Sequence, residues 1–159
     1  MRALLWSLLL VLPACSPQAA ERSPAPAGAE ASVHPVSGLP VIPLTVTTQG
    51  RTHTFRVELA RSDAEQAQGL MFRTAMGPDE GMLFPYDPPR VLSFWMKNTV
   101  LSLDLIFIGP DRRVINVAAN AVPYSEAPIL SDAPAIATLE LNAGRAKELG
   151  IVAGSRVDW

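Results

Sequence analysis

Residues 101–117 read LSLDLIFIGPDRRVINV, and this stretch indicates the fold class. An apolar run ends at Gly109-Pro110-Asp111, a combination typical of tight turns, and apolar residues resume at Val114. Two short runs rich in branched and aromatic residues on either side of a turn are typical of paired antiparallel strands. The stretch therefore predicts a β-hairpin near the centre of the chain.

A second hairpin is predicted nearer the N-terminus. Apolar and polar residues alternate on both sides of a Gln-Gly pair, with the apolar ones at Ile42, Leu44 and Val46 and again at Phe55, Val57 and Leu59. A period of two is the pattern of a strand. Further strands are expected at residues 91–96 and 136–141, with a closing edge strand at 156–159, whereas 122–134 reads as a loop.

Two short helices are predicted between these strands. Ser62 and Glu65 have the spacing of a capping box, and Gly69 can end the helix that follows. Asn142 is expected to cap the second helix, which ends at Gly150. About seven short strands with two short helices predict a mainly β fold, either a β-sandwich or a barrel.

The first 14 residues have the order of a secretory signal, with a positive charge, a short apolar run and small residues. Residues 12–15, LPAC, look like the lipobox of a bacterial lipoprotein, so we predict lipidation of Cys15. The alternative is ordinary cleavage of the signal nearby, which removes Cys15 or leaves it as a lone thiol. Ser16 after the cysteine resembles lipoproteins sorted to the outer membrane. These features predict an exported protein on the periplasmic side of the cell envelope, bound to the membrane through its lipid.

Residues 15–40 are rich in Pro, Ala and Ser and predict a tether, because such a composition cannot offset the entropy of folding. The folded domain is expected at 41–159. Its composition excludes several classes of protein: 13 Lys+Arg against 15 Asp+Glu leave no basic excess for nucleic acid. Two histidines and one cysteine cannot build a zinc cluster or a disulfide scaffold, and we predict no cofactor.

Several ordered motifs resemble the domain-of-unknown-function 192 family. They are GLMFR (69–73), GMLF (81–84), FWMKNT (94–99), LD (103–104), LEL (139–141) and AG (143–144). The resemblance covers nearly all of 41–159 and implies an exported β-rich domain, often behind a signal sequence. It implies no established activity.

The FWMKNT motif is also the strongest candidate for a ligand site. It places an aromatic ring, a cation, an amide and a hydroxyl within a few residues, and polar groups that converge on an apolar wall are typical of a pocket. Asp104 follows in an apolar strand, where a carboxylate is costly unless paired, so Lys97 or Arg73 is its expected partner. The predicted ligand-binding residues are Arg73, Trp95, Lys97, Asn98, Thr99 and Asp104. Their alternative role is purely structural, as groups that satisfy the backbone and each other.

Two other functions are weaker hypotheses. The thioethers of Met71, Met82 and Met96 could bind Cu(I) outside the cytoplasm, although methionine more often fills irregular cores. An enzyme of unrecognised type is the other, but we predict no catalytic residues. His34 lies in the tether, His53 has no evident partner, and Glu58 and Glu140 are expected to face outward from their strands. The leading hypothesis is a non-catalytic module that binds a polar small molecule, a glycan or an envelope protein.

Overall fold

The computed structural model describes residues 32–159. The predicted signal sequence, Cys15 and the first part of the tether lie outside the described residues. Within 32–159 no helix is long and apolar enough to span a membrane. The strands are β1 (Ser32–Val33), β2 (Pro40–Thr48), β3 (Arg51–Leu59), β4 (Glu80–Arg90), β5 (Ser93–Phe94), β6 (Leu103–Ile108), β7 (Val114–Ala121), β8 (Ile129–Leu130), β9 (Ala135–Asn142) and β10 (Arg156–Asp158), and the helices are α1 (Asp63–Gln68) and α2 (Arg145–Leu149).

The prediction of a mainly β fold with two short helices is confirmed. Eight strands form one sheet in the order β1-β2-β3-β4-β9-β6-β7, with β10 also paired to β2, while β5 and β8 form a separate pair. The sheet is not closed into a barrel. The strands that the sequence pattern did not predict are β1 and β8, whose two residues are too short to show a period, and β4, whose Gly and Pro residues read as turns.

Both predicted hairpins form. β2 pairs with β3 around Gln49-Gly50, and β6 pairs with β7 around Gly109. β3 and β4 are parallel, because α1 lies between them in the chain and carries it back to the same end of the sheet. The expected strand at 91–96 is reduced to Ser93–Phe94, which pairs with Ile129–Leu130 inside the predicted loop.

The sheet is buried on both faces, which decides where polar residues of its central strands can go. One apolar cluster holds Phe55, Leu83, Ile106, Leu139 and Leu141, and the cluster on the other face holds Met82, Phe84, Met96, Leu105 and Phe107. Alternation in a central strand therefore does not separate core from solvent. The expectation that Glu58 and Glu140 face outward into solvent was wrong for this reason, since both are buried.

The cap assigned to Asn142 was also wrong. Asn142 ends β9, and its side-chain amide donates to the carbonyls of Met76 and Gly77, each at 3.0 Å. The N-cap of α2 is Gly144, which has a φ of 82° and supplies no side-chain hydrogen bond. Another side chain must therefore satisfy the first amides of this helix.

The last part of the predicted tether packs on the domain. Ser32–Val33 pairs with Pro40–Val41, and the Ser37 hydroxyl donates to the carboxylate of Glu58. This polar contact fixes a segment whose composition alone predicts no order. The ordered domain thus includes residues from 32 onward.

Candidate functional site

A cavity of about 270 Å³ lies beside α1 on the face of the sheet that carries Met82 and Phe84. The helix and the turn after it form one wall, through Gln66, Gln68, Leu70 and Met71. The aromatic side chains at its opposite wall and mouth are Phe84, Tyr86, Phe94 and Trp95. Apolar walls with a few polar groups are typical of small-molecule sites, so this cavity is the candidate functional site.

The aromatic wall is ordered by edge-to-face packing around Phe94. Its ring lies 5.3 Å from that of Phe84 and 6.4 Å from that of Tyr86, with interplanar angles of 84° and 89°. This is a preferred arrangement for aromatic rings, because the positive edge of one meets the negative face of the other. Phe84 is buried, whereas Trp95 is 48% exposed, which puts the indole at the mouth of the cavity.

Glu140 lines the cavity and is its most unusual residue. It pairs with Met82 on β4 and with Leu105 on β6, so its side chain shares the cavity's face of the sheet. The residue is 5% exposed. Burial raises the pKa of Glu140 from 4.5 to about 8. No side chain or backbone amide in residues 32–159 donates to its carboxyl group or forms an ion pair with it, and the group is mostly protonated at neutral pH.

A second unsatisfied polar group lies close by on β9. The Thr138 hydroxyl, two residues before Glu140 on the same face, is buried without a hydrogen-bond partner in the described part of the chain. Buried polar groups in folded proteins are nearly always paired, so each exception needs an explanation. Thr138 and Glu140 thus place two polar side chains with no hydrogen-bond partner in residues 32–159 on the same face of β9.

Two other polar side chains of the cavity wall, Gln66 and Thr99, are already bonded within the protein. The Gln66 amide donates to the carbonyls of Ala60, at 3.2 Å, and Pro85, at 2.8 Å. The Thr99 hydroxyl donates to the carbonyl of Lys97 at 3.2 Å. These bonds hold the walls in place and leave the Glu140 carboxyl group as the unpartnered acid of the cavity.

The mouth of the cavity carries charges. The Lys97 ammonium lies 5.0 Å from the centroid of the Trp95 ring, and the Arg90 guanidinium lies 4.6 Å from that of Tyr86. Burial raises the pKa of Tyr86 to about 12, so its hydroxyl stays protonated at all physiological pH values. An adjoining cavity shares Phe94 and Trp95 and adds the acidic residue Glu126.

The predicted site residues do not converge. Trp95 and Thr99 line the cavity, and Lys97 lies at its mouth over Trp95. Asn98 instead supports the turn after α1. Its side-chain amide donates to the Met71 sulfur at 3.8 Å, and its backbone carbonyl accepts from the backbone amide of Phe72 at 2.9 Å. Ligand binding by these residues stays a prediction.

Asp104 has a structural role that differs from the expectation. It is fully buried, and its carboxylate accepts from the backbone amides of Asn120 and Ala146, each at 2.9 Å. Ala146 lies in the first turn of α2, so Asp104 supplies the cap that Gly144 lacks. The expected pairing of Asp104 with Lys97 or Arg73 was therefore wrong, because two backbone donors already satisfy the acid.

Arg73 pairs with Glu58 on β3. Its Nη2 atom lies 2.6 Å and 2.8 Å from the two carboxylate oxygens of Glu58. His34 and Ser37 of the N-terminal segment complete this cluster: the His34 Nε2 atom is 3.6 Å from the carboxylate, and Ser37 donates to it. The cluster joins the N-terminal segment, β3 and the turn after α1, and its groups satisfy one another.

The three methionines have different surroundings. Met82 and Met96 are fully buried in the apolar cluster beneath the cavity, whereas Met71 is half-buried in the cavity wall. Dense apolar packing around Met82 and Met96 is the ordinary role of methionine in a core and gives no support to a Cu(I) site. Among residues 32–159 no three His, Cys, Asp or Glu side chains are placed to hold a metal ion.

Sequence reasoning missed Glu140 together with Phe84, Tyr86 and Phe94. A signal for Glu140 was present, because the acid stands between Leu139 and Leu141 in an apolar strand, as Asp104 does between Leu103 and Leu105. Phe84 and Tyr86 on β4 carried no such signal, and only the fold brings them to Phe94, the first residue of the FWMKNT motif.

Comparison with known proteins identifies relatives without assigning an activity. The model of the domain-of-unknown-function 192 family (DUF192, Uncharacterized ACR) matches residues 44–159. A crystal structure of a protein of unknown function from Novosphingobium aromaticivorans DSM 12444 is 56% identical, with a TM-score of 0.81, over 83% of this chain and 94% of that one. No curated protein matches the chain.

A second crystal structure is of a protein from Sinorhizobium meliloti 1021 that is provisionally named a transcription regulator. It is 46% identical, with a TM-score of 0.71, over 73% of this chain and 91% of that one. The family match covers most of the chain and every motif quoted above. The chain therefore belongs to the DUF192 family.

Proposed function

We propose that this domain is a binding module of the cell envelope and that its ligand occupies the cavity lined by Glu140 and Trp95. The observation that carries the proposal is a carboxyl group that is 5% exposed, lines a cavity and has no partner within the described residues. A buried polar group is costly unless something bonds to it, and a ligand in the cavity would supply that bond.

The aromatic residues support the same site. Trp95 is exposed at the mouth, where its ring offers a flat surface for stacking, and Phe84 and Phe94 form an apolar interior. A cavity of about 270 Å³ fits one sugar ring or a small head group. The ligand would be a polar small molecule, or the end group of a larger envelope molecule.

Intrinsic fluorescence tests this proposal. Of the three tryptophans, Trp6 belongs to the predicted signal sequence, Trp95 lies at the cavity, and Trp159 lies elsewhere, under the Arg112 guanidinium at 3.7 Å. The purified chain is titrated with a panel of neutral sugars, organic ammonium compounds and carboxylates. A ligand of the cavity should change the emission of the protein and of a Trp159→Phe variant alike. The change should disappear in Trp95→Phe, and binding should weaken about tenfold in Trp95→Ala.

If no member of the panel changes Trp95 emission or raises the melting temperature, the cavity is not a binding site for these classes and the proposal fails. A response that survives Trp95→Phe but disappears in Trp159→Phe would place the ligand at the other tryptophan and would also contradict it.

We further propose that the domain is exported and held on the periplasmic side of the envelope by a lipid on Cys15. The support is the LPAC sequence at 12–15 and the Pro-rich stretch that follows. Cells that express the chain should hold it in the membrane fraction as an acylated species by mass spectrometry, and Cys15→Ala should abolish acylation. Equal fractionation and mass of both forms would contradict the anchor.

A second candidate function is acid–base catalysis by Glu140. A pKa of about 8 leaves this group able both to give and to take a proton near neutral pH. Glu140 is the carboxyl group of the cavity, and Glu58 is occupied by Arg73, so a two-carboxylate glycosidase mechanism is not supported. Turnover of generic ester, glycoside or peptide substrates that disappears in Glu140→Gln would favour catalysis over binding.

A further inference from the structure

We infer that the ligand of this cavity carries a small organic ammonium group, with Glu140 as its counter-ion and the surrounding aromatic rings as its walls. The inference rests on the proposed binding function and adds the charge of the ligand. Its support comes from the partners of the buried acids, the aromatic residues of the cavity wall and the hydrogen bonds already made by other polar groups.

The three buried acids of residues 32–159, Glu58, Asp104 and Glu140, have different partners. Asp104 accepts from two backbone amides, and Glu58 is paired with the guanidinium of Arg73. Glu140 is buried to a similar extent but has neither kind of partner in residues 32–159. The fold thus satisfies two of these acids from within and leaves the third next to open space, where an external positive group can reach it.

The walls of the cavity carry four aromatic side chains. The faces of aromatic rings are electrostatically negative and attract cations, most strongly for tryptophan. Two rings of this wall already hold protein cations, since Lys97 lies over Trp95 and Arg90 lies over Tyr86. An ammonium group inside the cavity would lie among Phe84, Phe94 and the Glu140 carboxyl group, which all line it.

The polar groups of the lining favour an ammonium group over a neutral sugar. Such a site needs several free donors and acceptors, because each sugar hydroxyl that is buried without a partner lowers affinity. The Gln66 amide nitrogen and the Thr99 hydroxyl proton are committed to backbone carbonyls. This leaves Gln68 and Ser93 among the uncharged hydrogen-bonding side chains of the lining that have no bond in residues 32–159. One acid among aromatic rings satisfies an ammonium group better than it satisfies a ring of hydroxyls.

Cation binding at this site is coupled to a proton. Because burial raises the pKa of Glu140 to about 8, the carboxyl group must lose its proton before it can pair with an ammonium group. Binding at pH 7 should therefore release about 0.9 proton per ligand, and affinity should rise about 50-fold between pH 6 and pH 8. A neutral ligand that accepts a hydrogen bond from the protonated acid would bind more weakly above pH 8.

The other charged groups around the cavity do not reproduce this pH dependence. β4 contributes Tyr86, whose raised pKa keeps it neutral, and its partner Arg90. The segment after β5 contributes Lys97, and the adjoining cavity contributes Glu126. The wall from α1 offers only uncharged residues, and the flanking residue of β6 is Leu105.

The experiment is isothermal titration calorimetry of the purified chain with matched probes. Choline and ethanolamine carry the ammonium group, 3,3-dimethylbutan-1-ol has the shape of choline without its charge, and N-acetylglucosamine is the neutral polar probe. Choline or ethanolamine should bind at least tenfold more tightly than the uncharged alcohol. Titrations at pH 6, 7, 8 and 9 in buffers of different ionisation enthalpy count the protons released.

Two variants sharpen the test. Glu140→Gln keeps the shape of the side chain. It should lower the affinity for ammonium compounds at least tenfold and abolish the pH dependence of binding. The matched control is Glu148→Gln, at an exposed side chain of α2, and it should change neither. Lys97→Met removes a positive charge from the mouth, so it should strengthen ammonium binding about twofold to threefold.

The outcomes separate this inference from the proposed function. If N-acetylglucosamine or the uncharged alcohol binds as well as the ammonium probes, or if affinity falls above pH 8, the cationic ligand is wrong while the binding site stands. If none of the probes binds at millimolar concentration, the ammonium site is overturned, and the fluorescence panel decides separately whether any other class of ligand binds.

Discussion

Asp104 and Glu140 lie on neighbouring strands and face opposite sides of the same sheet. Asp104 on β6 pairs with Leu141, and Glu140 on β9 pairs with Leu105, so the two acids are one residue out of register. Both stand between leucines in the sequence and both are buried. Asp104 receives two backbone hydrogen bonds, whereas Glu140 receives none within residues 32–159.

The difference shows that an acid in an apolar strand is not by itself a sign of function. Asp104 was the acid predicted from sequence to bind a ligand, and it caps a helix. Glu140 has the same flanking residues, and it lines a cavity. What separates the two is whether the fold supplies donors. The two hydrogen bonds to Asp104 therefore contribute to stability, while Glu140 lowers stability whenever it loses its proton.

The largest expected effect is the loss of Asp104. Asp104→Asn leaves one oxygen for two backbone donors and turns an N–H group toward one of them, so we expect the free energy of unfolding to fall by about 4 kcal/mol. Urea unfolding measures the change. Asp132→Asn, at an exposed position, is the control and should have almost no effect. A loss below about 1 kcal/mol would mean that the two hydrogen bonds contribute little.

Glu140→Gln should have the opposite sign. Between pH 4.5 and pH 8 the folded state keeps a proton on Glu140 that the unfolded state has lost, because the pKa of this group is raised from 4.5 to about 8. The stability of the wild-type protein should therefore fall as pH rises through this window and level off above it. The glutamine variant has no such proton, so at pH 7 it should be more stable by about 3 kcal/mol.

Urea unfolding of both proteins at pH 4.5 and pH 7 checks this prediction, since the gain should nearly vanish at the lower pH. A glutamine variant that is less stable at pH 7 would show that the carboxyl group has a partner in the folded protein, and would remove the contrast with Asp104.

Arg73→Met would remove the guanidinium partner of a buried acid and leave it the Ser37 hydroxyl and the neighbouring His34 ring. The Arg73 side chain is 11% exposed and that of Glu58 is 4% exposed, so removing the guanidinium leaves a buried carboxylate without its ion pair. We expect a loss of about 2 kcal/mol in unfolding free energy at pH 7. Adding Glu58→Gln to Arg73→Met should recover part of this loss. If the double variant is no more stable than the single one, the charge on Glu58 is not the cause.

Prediction from the sequence succeeded where the interacting residues are close together in the chain. The hairpin at Gln49-Gly50 and the capping box of Ser62 are local patterns, and both were predicted correctly. The partners of Asp104 were not, because Asn120 and Ala146 are 16 and 42 residues away in the chain. The cavity was predicted only in part for the same reason. Trp95 was identified from its own motif, whereas Phe84 and Glu140 lie on β4 and β9, outside it in the chain.

The smallest expected effect tests the helical wall of the cavity. α1 has six residues and buries none of them, so packing does little to hold it and its capping box matters more than in a longer helix. The Ser62 hydroxyl accepts from the Glu65 amide at 3.3 Å, and the Glu65 carboxylate accepts from the amides of Arg61 and Ser62, each at 2.8 Å. Ser62→Ala should cost about 1 kcal/mol.

Hydrogen exchange separates a local from a global effect of Ser62→Ala. Amides in α1 should exchange about fivefold faster, while those of the central strands β6 and β9 change only with the global stability. Glu140 should then titrate closer to its ordinary pKa, because a wall that opens admits water to the carboxyl group. Unchanged titration of Glu140 in a variant whose helix exchanges faster would show that the strands alone exclude water from this acid. In that case the burial of Glu140 would be independent of α1, whereas Asp104 depends on α2 for one of its two hydrogen bonds.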